Sequence, residues 1–434
     1  MKKIIKPIRP AKEISKGKIL NNIIAIVDAL STGNELAQEF INRGVKCVHI
    51  VNDSSRKTRV AGFIETIDCQ GNEEEVVAEL ARLNVSHVIA GSDSGVELAE
   101  KLASMLGLAE TNHASTTELR RNKFCTHQAL ASQNIRAIKQ FKSTSVDELI
   151  NWAQEHNSFP LVVKPLNSGA SDGVTICDSL DDVKRAVVAL LGKKNLLGYI
   201  NHELLVQEFI EGTQYFVNTL SWNGKVYVTD IWEQVRSRCP GKAYLFEGML
   251  LCDSSSTTGQ LLSEYTCDAL AAIELQYGPA HNEVILTKSG PVLIESNARL
   301  MGASIDEESF IKALGYTQVS MCVDMYLDPE TFINKTVTSA YQLNAHLAEV
   351  SLLFKKDGQL TGIPGIPMIE ELTSFSNFSG LPETGIEVTI TVDTIGLPGF
   401  VYLVNSDSNQ LLSDFSTLLK YQRDDLIFDI QNNN

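Results

Sequence analysis

The chain has 434 residues, a 44% hydrophobic fraction and 37 Lys/Arg against 53 Asp/Glu, which gives a net charge of −16. That length allows about two to four domains with buried cores, and the acidity argues against a polyanionic partner such as nucleic acid. No run of 18 apolar residues exists, so no membrane-spanning helix is expected.

The first 20 residues carry seven Lys/Arg and one Glu. They read as a solvated arm, because the short apolar run after them leads into Asp28 without the pattern of an export signal. The eight cysteines and eight histidines are scattered, with no CxxC pair and no zinc spacing. A reduced, cytoplasmic protein without a histidine metal centre is the expectation.

Residues 20–110 alternate strand and helix: "NNIIAIV", "NELAQEFINRG", "VKCVHIV", "EEEVVAELARLN", "SHVIAGSDSG" and "VELAEKLASMLG". Such a βαβ series predicts a parallel sheet with helices on both faces. The turn "DALSTGNE" holds one glycine where a dinucleotide fingerprint needs three, and Asp93 in "GSDSG" stands where a nucleophile elbow needs serine. No Walker A motif occurs. Residues 116–135 read as one helix containing Lys123. Ser145 and Glu148 form a capping box before "VDELINWAQEH", whose Leu149, Trp152 and Ala153 make one stripe. Then come the strand "FPLVVKP", the loop "LNSGASDGV", the strand "VTIC", a helix from Ser179 and the strand "ELLVQEFIEG" ending at Gly212. Asn223-Gly224 marks a hairpin between "QYFVNTLSW" and "KVYVTDIW". Beyond residue 335 a further α+β unit is expected, with a hairpin at Asp357-Gly358, strands "IEVTITV" and "GFVYLV", and a helix presenting Leu411, Leu412, Phe415, Leu418 and Leu419.

The stretch "NEVILTKSGPVLIESNARLMG" carries the chemistry. With the turn centred on Ser289, Glu283 lies opposite Glu295, and strand alternation adds Asn297 to the same face. Val284, Leu286, Val292 and Ile294 then point to the core and hold the register. Three hard oxygen donors without imidazole suit magnesium, with manganese as the alternative, and such ions bridge carboxylates to nucleotide phosphates. The alternative is a solvated pair of glutamates at a sheet edge. The loop "VVKPLNSGASDGV" offers the phosphate-binding half: Lys164 at a strand end, then Ser168, Gly169, Ser171 and Gly173, whose backbone N–H groups can wrap a polyphosphate. In "VQEFIEG", Glu208, Phe209 and Ile210 can present backbone groups and an apolar plane to an adenine.

Lys123, "VVKPLNSGASDGV", "VQEFIEG", Glu283 and "LIESNAR" stand in the order and approximate spacing of the ATP-grasp ligases, and the chain resembles that superfamily over nearly its whole length, most of all the L-amino acid ligases. The resemblance implies a multidomain α/β and α+β ATP-grasp fold: a Rossmann-like domain over 1–112, a linker helix and lid over 113–212, a catalytic subdomain over 213–334 and a C-terminal α+β domain over 335–434. It implies ATP and two Mg2+ ions as cofactors and amino acids as substrates, with no nucleic acid or membrane partner, and it leaves a homodimer open. Lys123 and Lys164 would contact the α- and β-phosphates, the 168–173 loop would cover the triphosphate, and Glu208 to Ile210 would hold adenine. Glu283, Glu295 and Asn297 would carry the metal ions. Arg299 would neutralise the transferring phosphoryl group and then the tetrahedral oxyanion. Gln214 stands where many relatives place a glutamate on the ribose hydroxyls. Arg299, Gly302 and Ala303 would approach the first amino acid, with the small Ala303 leaving room for a side chain larger than methyl. Glu233, Arg236, Arg238 and Glu247 are further candidates for reading substrate charge. The implied reaction is ATP-dependent dipeptide formation through an acyl phosphate. The competing readings are a carboxylase of the biotin-carboxylase type, whose Arg-Asp-Cys-Ser signature is missing here, and an inactive ATP-binding scaffold.

Overall fold

A computed structural model describes residues 22–431 apart from 53–56, 167–172, 196–197, 199, 238–243, 303–305, 337–339 and 395. The basic arm, Ser168, Gly169, Ser171, Arg238 and Ala303 therefore lie outside the described residues.

The leading segment forms the expected parallel sheet. Ile23–Val27 is flanked by Lys46–Val51 on one side and Val85–Ala90 on the other, and a short strand not foreseen from the sequence, Glu65–Asp68, completes it beside Lys46–Val51. The helix Thr32–Asn42 ends where Gly44 takes φ +81°, a conformation that costs glycine nothing.

Residues 116–135 do not make one helix. The chain forms helices Thr117–Arg121 and Lys123–Ser132, broken at Asn122, whose extended backbone lets its Oδ1 cap the second helix by accepting from Phe124 N at 3.0 Å and Cys125 N at 3.4 Å. Lys123 thus opens a helix instead of sitting inside one. Arg120, buried just before the break, donates to both oxygens of Glu100 and to the carbonyls of His113, Ile273 and Glu274. That saturated fork ties the helix carrying Glu100, Val96–Met105, to the turn after helix Thr257–Ala272.

A four-stranded antiparallel sheet follows, in the order Gln140–Ser143, Leu204–Glu208, Leu161–Pro165, Thr175–Cys177, with helices Val146–His156 and Leu180–Leu190 packed on it through Leu149, Ala153, Val183 and Val187. The capping box is relayed rather than direct. Ser145 Oγ accepts from Glu148 N, but the Glu148 carboxylate takes the Ser143 hydroxyl, and Ser143 Oγ accepts from Ser145 N. The last strand stops at Glu208, four residues short of Gly212, so Phe209 and Ile210 belong to the connection into the next sheet.

That next sheet has eight strands in the order Gly290–Asn297, Gly278–Thr287, Thr213–Trp222, Lys225–Ser237, Leu245–Leu251, His346–Ser351, Phe400–Asn405, Phe375–Ser379. Asn223 and Gly224, both at positive φ, turn its central hairpin as expected. The C-terminal expectation needs correcting: no hairpin forms at Asp357-Gly358. Gly358 opens a strand, Gly358–Gly362, in a separate three-stranded sheet, while His346–Ser351 and Phe400–Asn405 pair with each other and extend the central sheet. "IEVTITV" supplies only Glu387–Val388 as strand, and Leu412 of the final helix is exposed while Leu411, Phe415 and Leu418 are buried.

Candidate active site

The hairpin brings Glu283 opposite Glu295 and His281 opposite Asn297, but by a route the sequence reading missed. The turn is the two residues Lys288 and Ser289, so Thr287 pairs with Gly290 and Val284 with Leu293; a bulge then inserts Ile294 and restores the expected pairing beyond it. Consequently Leu293, not Ile294, joins Val284 in the core. The two carboxylates are 29% and 27% exposed, near enough to water to admit a ligand and buried enough to feel each other.

Positive charge converges on them. Lys123 Nζ lies 3.0 Å from Glu295 Oε2. Burial works against an ionised Glu295, yet the Lys123 ammonium, Lys164 and a hydrogen bond from Asn297 together hold it well below the usual carboxylate range. Glu283 moves the other way, pushed up by burial and by Glu295 beside it. A hard-oxygen pair of which one member is short of positive charge fits a divalent cation. Among the described residues no group of three or more His, Cys, Asp and Glu is placed to hold a metal, so the candidate set is two carboxylates and the Asn297 amide.

Arg299 follows at the strand end. Its Nη1 donates to Leu300 O at 2.9 Å, and the guanidinium lies 3.7 Å from where a β-carbon on Gly302 would sit. The leading segment holds this turn: Ser31 Oγ donates to Gly302 O and Thr32 Oγ1 to Met301 O, each at 2.6 Å. Glu208 Oε1 accepts from Lys139 N at 2.9 Å, and Phe209 N faces Pro160 O at 3.4 Å. Gly173, at φ +70°, packs where a β-carbon would come within 2.9 Å of the Pro165 ring.

Residues 157–307 match a family described as ATP-grasp domain. Dapdiamide A synthase of Enterobacter agglomerans is 31% identical over 326 residues, which cover 73% of this chain and 76% of that protein. The chain belongs to the ATP-grasp superfamily. A D-alanine–D-alanine ligase of Pelagibacter ubique is 24% identical over 43% of the chain and 54% of its own length. The crystal structure of an L-amino acid ligase from Bacillus licheniformis superposes with a TM-score of 0.75 at 19% identity, over 95% of this chain and 99% of that one. The fold is the ATP-grasp fold, and the protein is an ATP-grasp carboxylate–amine ligase.

Two sets of contacts around the hairpin of this ATP-grasp ligase could not be foreseen from the sequence. The first is a buried polar chain: His281 Nδ1 bonds Asn218 Oδ1 at 2.8 Å, and Asn218 Nδ2 donates to Asp230 Oδ1 at 2.6 Å. Asp230, fully buried, also accepts from Thr229, Trp232 and Gln318. Because the Asn218 amide gives its N–H to the carboxylate, its oxygen faces His281, so Nδ1 carries the proton and Nε2, 4.0 Å from Glu283 Oε1, is an acceptor. Burial and the nearby Arg299 keep this imidazole neutral by pulling its pKa to about 3. The strand alternation around Asn218 and Asp230 was visible in the sequence, but nothing in it said which polar residues meet across strands. The second involves residues the sequence had singled out for other roles, Gln214 at the ribose position and Arg236 for substrate charge: Arg236 Nη1 donates to Gln214 Oε1, and Gln214 Nε2 donates to Glu283 Oε2 at 2.7 Å.

Lys164 is 6% exposed, and burial with Lys123 alongside pulls its pKa down to about 7. Above that pH the neutral amine predominates, and a phosphate group against it would restore the charged form. Binding of ADP in the absence of divalent ions should take up a measurable fraction of a proton at pH 8, read by calorimetry in buffers of different ionisation enthalpy. Lys164→Met should abolish the uptake; ADP binding by the wild-type protein without uptake would remove Lys164 from the phosphate site.

Proposed function

We propose that this ligase joins two L-amino acids into a dipeptide, spending ATP to activate the first as an acyl phosphate and releasing ADP and phosphate. The observation that carries the reading is the paired Glu283 and Glu295 with Lys123 3.0 Å from one of them and Arg299 following at the same strand end. Its relatedness to dapdiamide A synthase and its fold likeness to an L-amino acid ligase support it.

Lys123 and Lys164 would take phosphate oxygens, and Glu208, Phe209 and Ile210 would frame the adenine. Ser168, Gly169, Ser171 and Gly173 would cover the triphosphate and keep water from the activated carboxyl group. Glu283, Glu295 and Asn297 would hold magnesium. When bound, that metal supplies charge neutralisation and Lewis acidity at the transferring phosphoryl group. Arg299 would offer its planar donor fork to the phosphoryl oxygens and then to the tetrahedral oxyanion formed when the amine of the second amino acid attacks. Gly302 and Ala303 would border the first amino acid, with the Gly302 carbonyl fixed by Ser31.

A screen of twenty amino acids against twenty, following phosphate release and identifying products by mass, tests the reading. A subset of pairs should give dipeptide and phosphate in equal amounts. ATP hydrolysis without any coupled product, for every pair, would overturn it.

A further inference from the structure

Gln214 lies on the strand Thr213–Trp222 beside Glu283, diagonal to it on the same sheet face, since Glu283 pairs with Phe216. It is 8% exposed and both ends of its amide are engaged. Arg236 Nη1 donates to Gln214 Oε1, and Gln214 Nε2 donates to Glu283 Oε2 at 2.7 Å. A guanidinium can only donate, so the amide end facing Arg236 must be the oxygen and the end facing Glu283 must be the N–H. Arg236 is itself held, with its Cζ 4.1 Å from the centre of the Tyr244 ring. The chain Tyr244, Arg236, Gln214, Glu283 is thus directional from end to end.

Glu283 needs such a device. On its other side His281 presents the acceptor Nε2, 4.0 Å from Oε1, and two facing acceptors do not hold each other. Without Gln214, the Glu283 carboxylate would be repelled by Glu295 across the strand and could turn toward solvent. With it, Oε2 is held by the Gln214 amide and Oε1 is left on the side of His281.

We propose that Gln214, oriented by Arg236, is a positioning residue that aims the Glu283 carboxylate at a divalent cation, and that this is its role rather than contact with the ribose hydroxyls. The proposal rests on the reading that Glu283 and Glu295 hold a divalent ion. Loss of an outer hydrogen bond to a metal-binding carboxylate costs about 10–100-fold in metal affinity.

The test uses Gln214→Met, which keeps the side-chain volume and removes both polar ends. Mn2+ binding to ADP-saturated protein, followed by electron paramagnetic resonance, should weaken by about 10–100-fold. ADP affinity in EDTA, and the preference for ADP over its 2′,3′-dideoxy analogue, should stay as in the wild type. Arg236→Met, which frees the amide to rotate while leaving Gln214 in place, should weaken Mn2+ in the same direction, and it carries the test if Gln214→Met does not fold. Unchanged Mn2+ affinity together with a lost preference for the ribose hydroxyls would overturn the proposal in favour of a ribose contact. A wild-type protein that binds no Mn2+ in the presence of ADP would overturn the cation reading itself, and the proposal with it.

Discussion

Replacing Arg299 with alanine is expected to lower dipeptide synthesis by at least about 10²–10³-fold while leaving ATP affinity nearly unchanged, because removing one preorganised group that stabilises developing charge typically costs that much. The side chain is held for such a role. Arg299 N donates to Asn297 O at 2.8 Å, its Nη1 is tied to Leu300 O, and Gly302 leaves open the space beside the guanidinium. Arg299→Lys should recover little of the loss, since a single ammonium cannot reproduce a planar fork over phosphoryl oxygens. The measurement is steady-state dipeptide formation alongside equilibrium ATP binding. Turnover of the alanine variant close to that of the wild type would remove Arg299 from the mechanism.

Glu295→Gln is the second large effect. The substitution preserves shape and deletes the charge on which Lys123 rests at 3.0 Å. Three consequences follow together. The proposed divalent-ion site loses an anionic donor, Lys123 loses the ion pair with Glu295, and Lys164 loses one of the charges that raise its pKa. Metal ions stabilise transition-state charge by several kcal/mol, so turnover should fall by roughly 10²–10⁴-fold. Mn2+ affinity should weaken in parallel. Wild-type turnover at saturating magnesium would reduce Glu295 to a structural partner of Lys123.

What could be read from the sequence divides along physical lines. The parallel sheet around Ile23–Val27 and the hairpin at Asn223-Gly224 were legible because buried strands are apolar runs and the turn needs positive φ at two successive residues. The pairing of Glu283 with Glu295 was also legible, although the assumed turn centre was wrong; the bulge at Ile294 compensates for the shorter turn. Apolar alternation cannot distinguish a wide turn from a tight turn plus a bulge. The break at Asn122 left a capping residue in plain view inside a helical pattern, but Asn is also tolerated there, so only the structure places Lys123 at a helix start. The contacts of Gln214 were not legible. Its partners Glu283 and Arg236 come from two other strands, and contacts across strands depend on a register that one sequence does not print. The same holds for His281, Asn218 and Asp230, and for the joining of His346–Ser351 to Leu245–Leu251 across almost a hundred residues of chain.

Carboxylate activation is the claim on which the rest depends, and isotope transfer measures it most directly. With the first amino acid labelled by ¹⁸O in both carboxylate oxygens, each dipeptide formed should be matched by one phosphate carrying one ¹⁸O atom, with ADP as the other product. Dipeptide accompanied by unlabelled phosphate, or by AMP and pyrophosphate, would contradict a phosphorylated carboxyl intermediate and the account built on Glu283, Glu295 and Arg299.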